Sequence, residues 1–323
     1  MTLRGVKTAR QSGQWLLGKM VRHAIILGYH RVSDGPDPYQ LGVSSENLAE
    51  QLAVLARVAH PLPVKQLPQL LAAGQLPKRA VAVTFDDGYA EVLHRAKPLL
   101  ARFGVPATVF VISGALGSEL WWDRLDRISA RAQSLDRRLM LPIGDAVFNW
   151  PLDGIETSAE GLRRALYPKL RALDQPARDA VLDQLGEHMR VHRHVSEIGL
   201  QRVVTADELR CLGDGDLVEI GAHTVTHPAL SQLSAQQQRQ EIANSRRDLE
   251  AALEQPVTGF SYPFGDTSPG VDTMVHQAGF NYACGSRNAV AWRGTDPFFL
   301  PRFWVPNWDG RRFAGWLEEW IDG

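Results

Sequence analysis

Residues 80–88, AVAVTFDDG, place a β-forming run directly before two adjacent carboxylates and a glycine. The six apolar or β-branched residues that open the stretch predict a strand. Asp86 and Asp87 follow at its carboxyl end, where consecutive side chains point to different sides of the backbone. Two interpretations are open: the pair is turn chemistry in a solvated loop, or one carboxylate binds a metal while its neighbour faces a substrate or water.

Further strands alternate with amphipathic helical stretches along the chain. Strands are predicted at 24–29, 107–112, 217–222, 257–262 and 281–284, with one more near the C-terminus, and helices at 44–59, 89–104, 234–254 and about 269–278. This alternation predicts an α/β fold with a mostly parallel sheet. Seven or eight strands interleaved with helices favour a (β/α) barrel, in which the chemistry lies at the carboxyl ends of the strands.

Residues from about 118 to 200 interrupt this alternation. They contain three amphipathic helical stretches joined by a polar, glycine-containing segment, PIGDAVFNWPLDGIE, at 142–156. We interpret them as a helical insertion packed on a main domain that spans 24–323. The sequence does not decide whether the insertion forms a wall of a substrate cleft or a contact between protomers.

The composition restricts the classes of partner. The chain of 323 residues is 44% hydrophobic and 22% charged, which is typical of a globular protein with a substantial core. Its formal net charge of -1 gives no global reason to expect nucleic acid as a partner. Cys211 and Cys284 are the two cysteines, and their spacing indicates neither a disulfide framework nor a thiolate metal site.

Residues 1–23 form a basic N-terminal segment. Lysines and arginines surround Trp15, Leu16 and Leu17, so the segment could contact an anionic membrane surface or could be a frayed basic terminus. It does not match a secretory signal, and the sequence has no run of about 18 apolar residues. We therefore expect a cytoplasmic protein, which would be membrane-associated if this segment binds lipid.

A second chemical element is EIGAHTVTHPAL, residues 219–230, with two histidines four positions apart. Pro228 disfavours helical geometry at His227, so we expect His223 and His227 on a strand end and the loop after it. Two imidazoles with one carboxylate would form a three-ligand site with an open position, which suits catalytic zinc. Chance spacing of surface histidines is the alternative.

The motifs TFDDG, HTVTH and SYPFG, in this order, resemble the polysaccharide deacetylase family, the chitooligosaccharide-deacetylase homology domain of carbohydrate esterase family four. The stretches ILGYHRV, SSENLAEQL and LWWDRL are similar to members attached to exopolysaccharide or cell-surface glycan synthesis. The resemblance covers roughly residues 24–115 and 203–306. It implies a distorted (β/α) barrel.

The resemblance also implies roles for the chemical residues. Asp87, His223 and His227 would bind a divalent metal, usually zinc, and Asp86 would be the general base. This agrees with metal-assisted hydrolysis, in which a cation lowers the pKa of a water and a carboxylate takes its proton.

The third motif, SYPFG, implies part of the substrate site. The resemblance assigns the backbone N–H after Pro263, which is that of Phe264, to the developing oxyanion. The side chains of Tyr262 and Phe264 are either substrate-binding groups or core aromatics.

Two features of the family are missing from the sequence. Many members have an arginine two residues before the proline of the third motif, and here this residue is Ser261. Arg302 is our candidate for its replacement. Many members also supply a late histidine as general acid. His276 lies in a helical stretch and is better explained by packing, so His30, directly after the first strand, is our candidate proton donor.

The leading hypothesis is a metal-dependent hydrolase that removes the N-acetyl group from an amino sugar in a polysaccharide, an oligosaccharide or a glycan precursor. A deformylase of a lipid-linked aminosugar is the related alternative. A glycan-binding or biosynthesis-complex protein that has lost catalysis is the alternative from another class, because the arginine and the late histidine are missing.

Overall fold

A computed structural model describes residues 22–35, 37–130, 139–150, 158–191 and 199–321. All but the last two residues of the predicted basic N-terminal segment lie outside these ranges. Among the described helices, none combines the length and apolarity needed to cross a lipid bilayer.

Thirteen strands and ten α-helices form within the described residues. The strands are β1 His23–Tyr29, β2 Arg31–Val32, β3 Gly42–Val43, β4 His60–Pro61, β5 Ala80–Phe85, β6 Ala107–Val111, β7 Leu139–Ile143, β8 Ala146–Trp150, β9 Val218–Ala222, β10 Gly259–Ser261, β11 Tyr282–Cys284, β12 Ala291–Trp292 and β13 Phe303–Trp304. The helices are α1 Ser45–Val58, α2 Leu67–Ala73, α3 Lys97–Phe103, α4 Trp121–Ser129, α5 Ala159–Arg171, α6 Gln175–Met189, α7 Ala206–Gly213, α8 Ala235–Leu253, α9 Val271–Gln277 and α10 Gly310–Ile321.

Local sequence signals set several helix ends. The side chains of Ser44 and Ser234 cap the first turns of α1 and α8, and Gly104, with a φ of +64°, ends α3. The helix predicted at 89–104 contains Pro98, and a proline inside a helix would be expected to kink it. Residues Val92–Ala96 make a π-helical turn, and Pro98 lies in the first turn of α3, where no intrahelical hydrogen bond is lost.

Seven parallel strands form the central sheet, in the spatial order β11, β10, β9, β6, β5, β1 and β13. The short strands β4 and β12 pair with β5 and β1. The sheet closes because the N–H of Leu300 donates to the Ala283 carbonyl and the N–H of Gly285 donates to the Leu300 carbonyl, each at 2.9 Å. The predicted α/β fold, a distorted (β/α) barrel of about seven strands, is confirmed.

Strand alternation divides the apolar side chains between two faces of this sheet. In β5, Val81 and Val83 belong to the larger core cluster, whereas Ala80 and Ala82 belong to a second cluster on the inner face. Both faces are therefore covered, which explains why the whole strand is apolar. Two further steps of the alternation place Asp86 on the inner face at the carboxyl end of β5.

The predicted insertion contains α4, α5 and α6, in agreement with its three helical stretches. Part of the segment expected to join them is instead a hairpin, in which β7 and β8 pair antiparallel. Leu139 and Leu141 are buried while Met140 is 54% exposed, which is the alternation of a strand. Gly144, with a φ of +58°, starts the two-residue turn. The glycine in the polar segment was therefore the signal of a tight hairpin turn.

Candidate active site

Two buried aspartates follow β5, and the first of them is held by an arginine. Arg302 donates from Nη1 to Asp86 Oδ1 at 2.7 Å and from Nη2 to Asp86 Oδ2 at 2.8 Å. Ser261 Oγ donates to the same carboxylate at 3.2 Å. Arg302 is only 1% exposed, so this bidentate pair is buried. The candidate replacement for the missing arginine thus contacts Asp86 directly, from the position immediately before β13.

Asp87 faces the two histidines of the HTVTH motif. Its Oδ1 lies 3.6 Å from His223 Nε2 and 3.6 Å from His227 Nε2. The φ of Asp87 is +71°, in the left-handed region, which breaks the strand alternation and turns this side chain away from the direction of a regular strand. The two neighbouring carboxylates therefore have different principal contacts, and His223 Nε2, 3.8 Å from Asp86 Oδ2, is near both of them.

The HTVTH motif is a strand end and a loop, as the proline predicts. His223 follows β9 on the inner face, and its Nδ1 lies 2.8 Å from the Ser261 carbonyl. A carbonyl only accepts, so Nδ1 carries the proton and Nε2 has a free lone pair. Thr224 and His227 have φ of +65° and +56°. The Glu241 carboxylate of α8 accepts hydrogen bonds from the backbone between them and holds this strained loop in place.

The donor atoms of Asp87, His223 and His227 fit a metal ion. One donor from each residue lies within 4.8 Å of the others, and all three residues are buried. Metal bonds of 2.0–2.2 Å in tetrahedral geometry would need donors about 3.4 Å apart, close to the 3.6 Å between Asp87 and each histidine. Two imidazoles and a carboxylate are donor types that divalent metal sites in hydrolases use.

Electrostatics separate the two aspartates. Burial disfavours ionisation of Asp86, but the Arg302 guanidinium and His223 outweigh it, so the pKa of Asp86 lies well below its ordinary value. Burial and the neighbouring Asp86 raise the pKa of Asp87 well above its ordinary value. Burial also lowers the pKa of His223 and of His227. Asp86 is thus a stable carboxylate, whereas the three residues of the donor set are desolvated without a cation.

His30 lies on the inner face directly after β1 and borders the same cleft. Its ring stacks on Trp304, with centroids 4.4 Å apart. Gly28 allows this contact, because a Cβ there would come within 2.7 Å of the Trp304 ring. Burial lowers the pKa of His30 to about 4, although Asp86 opposes this shift. His30 is therefore neutral at pH 7 in the free protein and would act as a donor only after taking up a proton.

The cleft in front of these groups has a volume of about 210 Å³. Aromatic side chains that the sequence reasoning did not single out form its walls: Tyr39, Trp122, Tyr167 and Trp304. Trp122 packs against the His227 ring at 5.0 Å between centroids. It lies in the LWWDRL stretch of α4, and its place in that stretch was the available signal. Tyr167 comes from α5, so the insertion forms one wall of the cleft.

The third motif contributes two aromatic rings with different roles. Tyr262 borders the cleft but is 1% exposed, and its hydroxyl donates to the Phe298 carbonyl at 3.0 Å, as expected for a core aromatic. Phe264 lies against the His227 ring at 4.6 Å and has a φ of +59°. Pro263, between them, is buried. Of the two aromatic side chains, Phe264 is therefore the one placed beside the candidate metal ligands.

A parallel barrel with two histidines and a carboxylate beside a second, arginine-held carboxylate has the residue types that metal-assisted hydrolysis uses. The family model for polysaccharide deacetylase matches residues 73–136 and 159–283. The chain belongs to the polysaccharide deacetylase family. The resemblance seen in the sequence is thereby confirmed, and with it the class of enzyme that this family contains, polysaccharide deacetylases.

Individual relatives agree with this assignment. A poly-β-1,6-N-acetyl-D-glucosamine N-deacetylase of Staphylococcus aureus is 30% identical over 122 residues, which cover 33% of this chain and 42% of that protein. The chain thus matches less than half the length of that relative. The fold is similar to the Streptococcus pyogenes deacetylase PplD in complex with acetate, with a TM-score of 0.61 and 16% identity over 94% of this chain and all of that one. The fold is also similar to IcaB from Ammonifex degensii, with a TM-score of 0.60 and 19% identity over 92% of this chain and 97% of that one.

Proposed function

We propose that the chain is a metal-dependent N-deacetylase that hydrolyses the N-acetyl group of an amino sugar in a glycan. The observation that supports this most is the different environment of two neighbouring aspartates. Asp86 is ionised and clamped by Arg302, while Asp87 faces His223 and His227. A simple turn in a solvated loop would not bury both carboxylates and give each a separate partner.

Asp87, His223 and His227 would hold the divalent cation, and zinc suits this donor set best. Such a cation lowers the pKa of a water and polarises the amide carbonyl of the substrate. Asp86 would accept the proton of that water as general base. Arg302 acts through Asp86, since it keeps the carboxylate ionised and fixes its orientation.

Two further groups would complete the reaction. The backbone N–H of Phe264 would donate to the oxyanion that develops on the acetamide. His30 would return a proton to the leaving amine. Because the His30 imidazole is neutral at pH 7 in the free protein, it would first have to take up the proton that Asp86 accepts or a proton from solvent.

The cleft and the relatives support an amino-sugar substrate. Aromatic rings line a cleft with a few convergent polar groups, which is the usual form of a small-molecule site. The Staphylococcus aureus relative is named for poly-β-1,6-N-acetyl-D-glucosamine, and the Streptococcus pyogenes structure holds acetate, which is what an N-deacetylase releases. β-1,6-linked N-acetylglucosamine oligomers are therefore the first substrates to test.

Acetate release and metal content test this proposal together. We expect Asp86→Asn to keep its metal and lose about 10²- to 10⁴-fold in turnover, because only the proton acceptor is removed. His223→Ala should lose the metal and activity. Asp207→Asn, at an exposed aspartate, is the matched control and should behave as wild type. Full turnover by Asp86→Asn would refute the assigned role.

The same assay separates the alternatives. Formate release from a formylated lipid-linked aminosugar, without acetate release from acetylated sugars, would favour the deformylase. A wild-type protein that binds zinc but releases neither acid from any substrate would favour the non-catalytic glycan-binding protein. The buried Asp86–Arg302 pair speaks against the latter, because it supplies the orienting arginine whose absence motivated that alternative.

A further inference from the structure

Arg178, in the first turn of α6, is a buried cation without a bound partner. It is 4% exposed, and its guanidinium lies 5.1 Å from the centre of the Trp121 ring. Among the residues that the structure describes, the guanidinium makes neither a hydrogen bond nor an ion pair. Asp174 instead caps α6 with its side chain, and Glu241 is engaged by the HTVTH loop.

Such a charge is unusual in a folded protein. Burial lowers the pKa of Arg178, and nearby carboxylates oppose this shift without touching the guanidinium. Removing a guanidinium from water is costly unless an acceptor compensates. The ring of Trp121 supplies part of this compensation. The five N–H donors of the fork nevertheless remain available for a planar or tetrahedral anion.

A second arginine from the same helical hairpin lies nearby and is also incompletely bonded. Arg171, the last residue of α5, places its guanidinium 4.0 Å from the centre of the Phe264 ring. Its Nε is buried and has no hydrogen bond within the described residues. Since Phe264 also borders the catalytic cleft, Arg171 contacts a wall of that cleft through this ring.

Both arginines line a polar cavity of about 520 Å³ between α6, α8 and the HTVTH loop. The remaining polar lining comes from the amide side chains of Gln175, Gln232, Gln237, Gln240 and Asn244, from Thr226, and from the carboxylates of Asp174 and Glu241. These two carboxylates already accept hydrogen bonds from the first turn of α6 and from the HTVTH loop. Arg178 also lines an adjoining cavity of about 300 Å³. That cavity shares Trp122 and His227 with the catalytic cleft. The three cavities therefore have common walls and run along one side of the insertion.

We propose that Arg178 and Arg171 form an anion subsite, which binds a carboxylate or phosphate group carried by the glycan next to the sugar whose acetamide enters the catalytic cleft. This inference rests on the proposed function and adds to it a substrate class: a saccharide in which a uronate or a phosphate group lies next to the acetylated amino sugar. The amide side chains around the arginines would bind sugar hydroxyls, and the insertion would then be the element that selects the substrate.

Two variants and a matched control test the subsite. Arg178→Gln and Arg171→Gln remove the charges, while Arg164→Gln removes an arginine of α5 that is 80% exposed and pairs only with Glu160 among the described residues. For each protein, kcat/KM is compared on three substrates. These are a neutral N-acetylglucosamine oligomer, an oligomer that alternates N-acetylglucosamine with glucuronate, and an N-acetylglucosamine oligomer ending in a phosphate ester. The last two distinguish the source of the anion.

We expect wild type to prefer one of the two anionic substrates. Arg178→Gln should lower kcat/KM for that substrate by about 10- to 100-fold, the range for a lost charge-assisted hydrogen bond, and change the neutral substrate less than about threefold. Arg164→Gln should leave both unchanged. An equal loss on neutral and anionic substrates in Arg178→Gln would show a purely structural role and overturn the proposal.

A binding experiment separates this proposal from the proposed function. Calorimetric titration with orthophosphate and with glucuronate should show binding to wild type that is at least tenfold weaker in Arg178→Gln, and this readout needs no turnover. If no substrate releases acetate but this difference persists, the deacetylase proposal fails and the anion subsite stands. Equal binding by wild type and both charge-removing variants would refute the subsite, whatever the activity.

Discussion

Asp86 and Asp87 show how neighbouring identical residues acquire different chemistry. The strand alternation directs Asp86 inward to the Arg302 guanidinium, 2.7 and 2.8 Å away. The left-handed φ of Asp87 breaks that alternation and turns its carboxylate to the histidines. A left-handed non-glycine residue costs on the order of 1–3 kcal/mol. This strain lies at Asp87, where the two carboxylates begin to face different partners.

Replacing Arg302 should change the pH dependence of activity. In Arg302→Gln the buried Asp86 loses its main favourable partner, so its pKa should rise from well below the ordinary value. We expect the acid limb of the kcat/KM profile to move to higher pH and turnover at pH 7 to fall at least tenfold. The measurement is a pH–rate profile of the metal-loaded protein from pH 4 to 9.

Arg302→Lys is the control for this variant, because it keeps a cation but not the bidentate fork. Arg302→Lys should bring the acid limb part of the way back to its wild-type position and restore a smaller share of the turnover. An unchanged acid limb in Arg302→Gln would mean that Asp86 does not depend on the arginine for its ionisation.

Sequence reasoning identified the residues that follow predicted strands, but it could not decide whether Arg302 contacts Asp86. Asp87, His223 and His227 stand at predicted strand ends, and parallel strands bring such ends to one edge of a barrel. The contact between Arg302 and Asp86 joins residues 216 positions apart, so it depends on how the barrel closes. Trp122 was missed because a tryptophan on an amphipathic helix has the same pattern whether it packs in the core or borders a cleft.

Among the secondary-structure elements, α4 is connected to the barrel by a buried polar chain. Arg31 donates to both carboxylate oxygens of Glu91 and, at 3.0 Å, to Asp123 of α4. Tyr89 donates to Asp123 at 2.6 Å, and Trp122 Nε1 donates to the Tyr89 hydroxyl at 2.7 Å. Because Trp122 packs on His227, this chain fixes the cleft wall that the insertion supplies.

The free energy of unfolding should depend on whether Asp123 is protonated. Burial raises the pKa of Asp123 to about 7, although Arg31 and the Tyr89 hydroxyl oppose the shift. A folded-state pKa above the unfolded value of about 3.9 stabilises the fold at low pH. This contribution is lost as pH rises from about 4 through 7, by on the order of 4 kcal/mol at most.

In Asp123→Asn, that part of the pH dependence should disappear, and the overall stability should fall because one of the two oxygens that accept hydrogen bonds from Arg31 and Tyr89 is lost. Urea unfolding at pH 4.5, 6 and 8 measures how the free energy of unfolding changes with pH in wild type, in Asp123→Asn and in the exposed control Asp207→Asn. If Asp123→Asn retains the wild-type slope, another group carries the proton.

The elements themselves were largely predictable, because hydrophobic periodicity and caps act within a few residues. Ser44, Ser234 and Gly104 lie at the helix ends that the sequence indicates. The hairpin Leu139–Trp150 was not predicted, since one alternating strand next to a glycine-containing segment is compatible with a loop until its partner strand is known.

For the whole molecule, the metal should contribute to stability as well as to catalysis. Asp87, His223 and His227 are buried without a compensating charge, so a bound cation would relieve their desolvation. We expect chelation to lower the melting temperature by about 5–10 °C, the shift for a ligand present at about a thousand times its Kd. Thermal melts with a chelator and with added zinc measure this difference.

The His223→Ala variant should melt at one temperature under both conditions, because it lacks a ligand. His276→Ala, which removes a histidine that packs on Phe298 away from the donor set, should keep the wild-type response to the chelator. A chelator response in His223→Ala equal to that of wild type would place the metal elsewhere.

The closing strand has a consequence for the order in which the protein becomes competent. During synthesis, the three donor residues are complete once His227 has been added, but the guanidinium that orients Asp86 arrives 75 residues later, with Arg302. A nascent or truncated chain that ends between these points would carry all three donors while its base is neither clamped nor held ionised. Completion of the barrel is thus the event that brings the Arg302 guanidinium to Asp86.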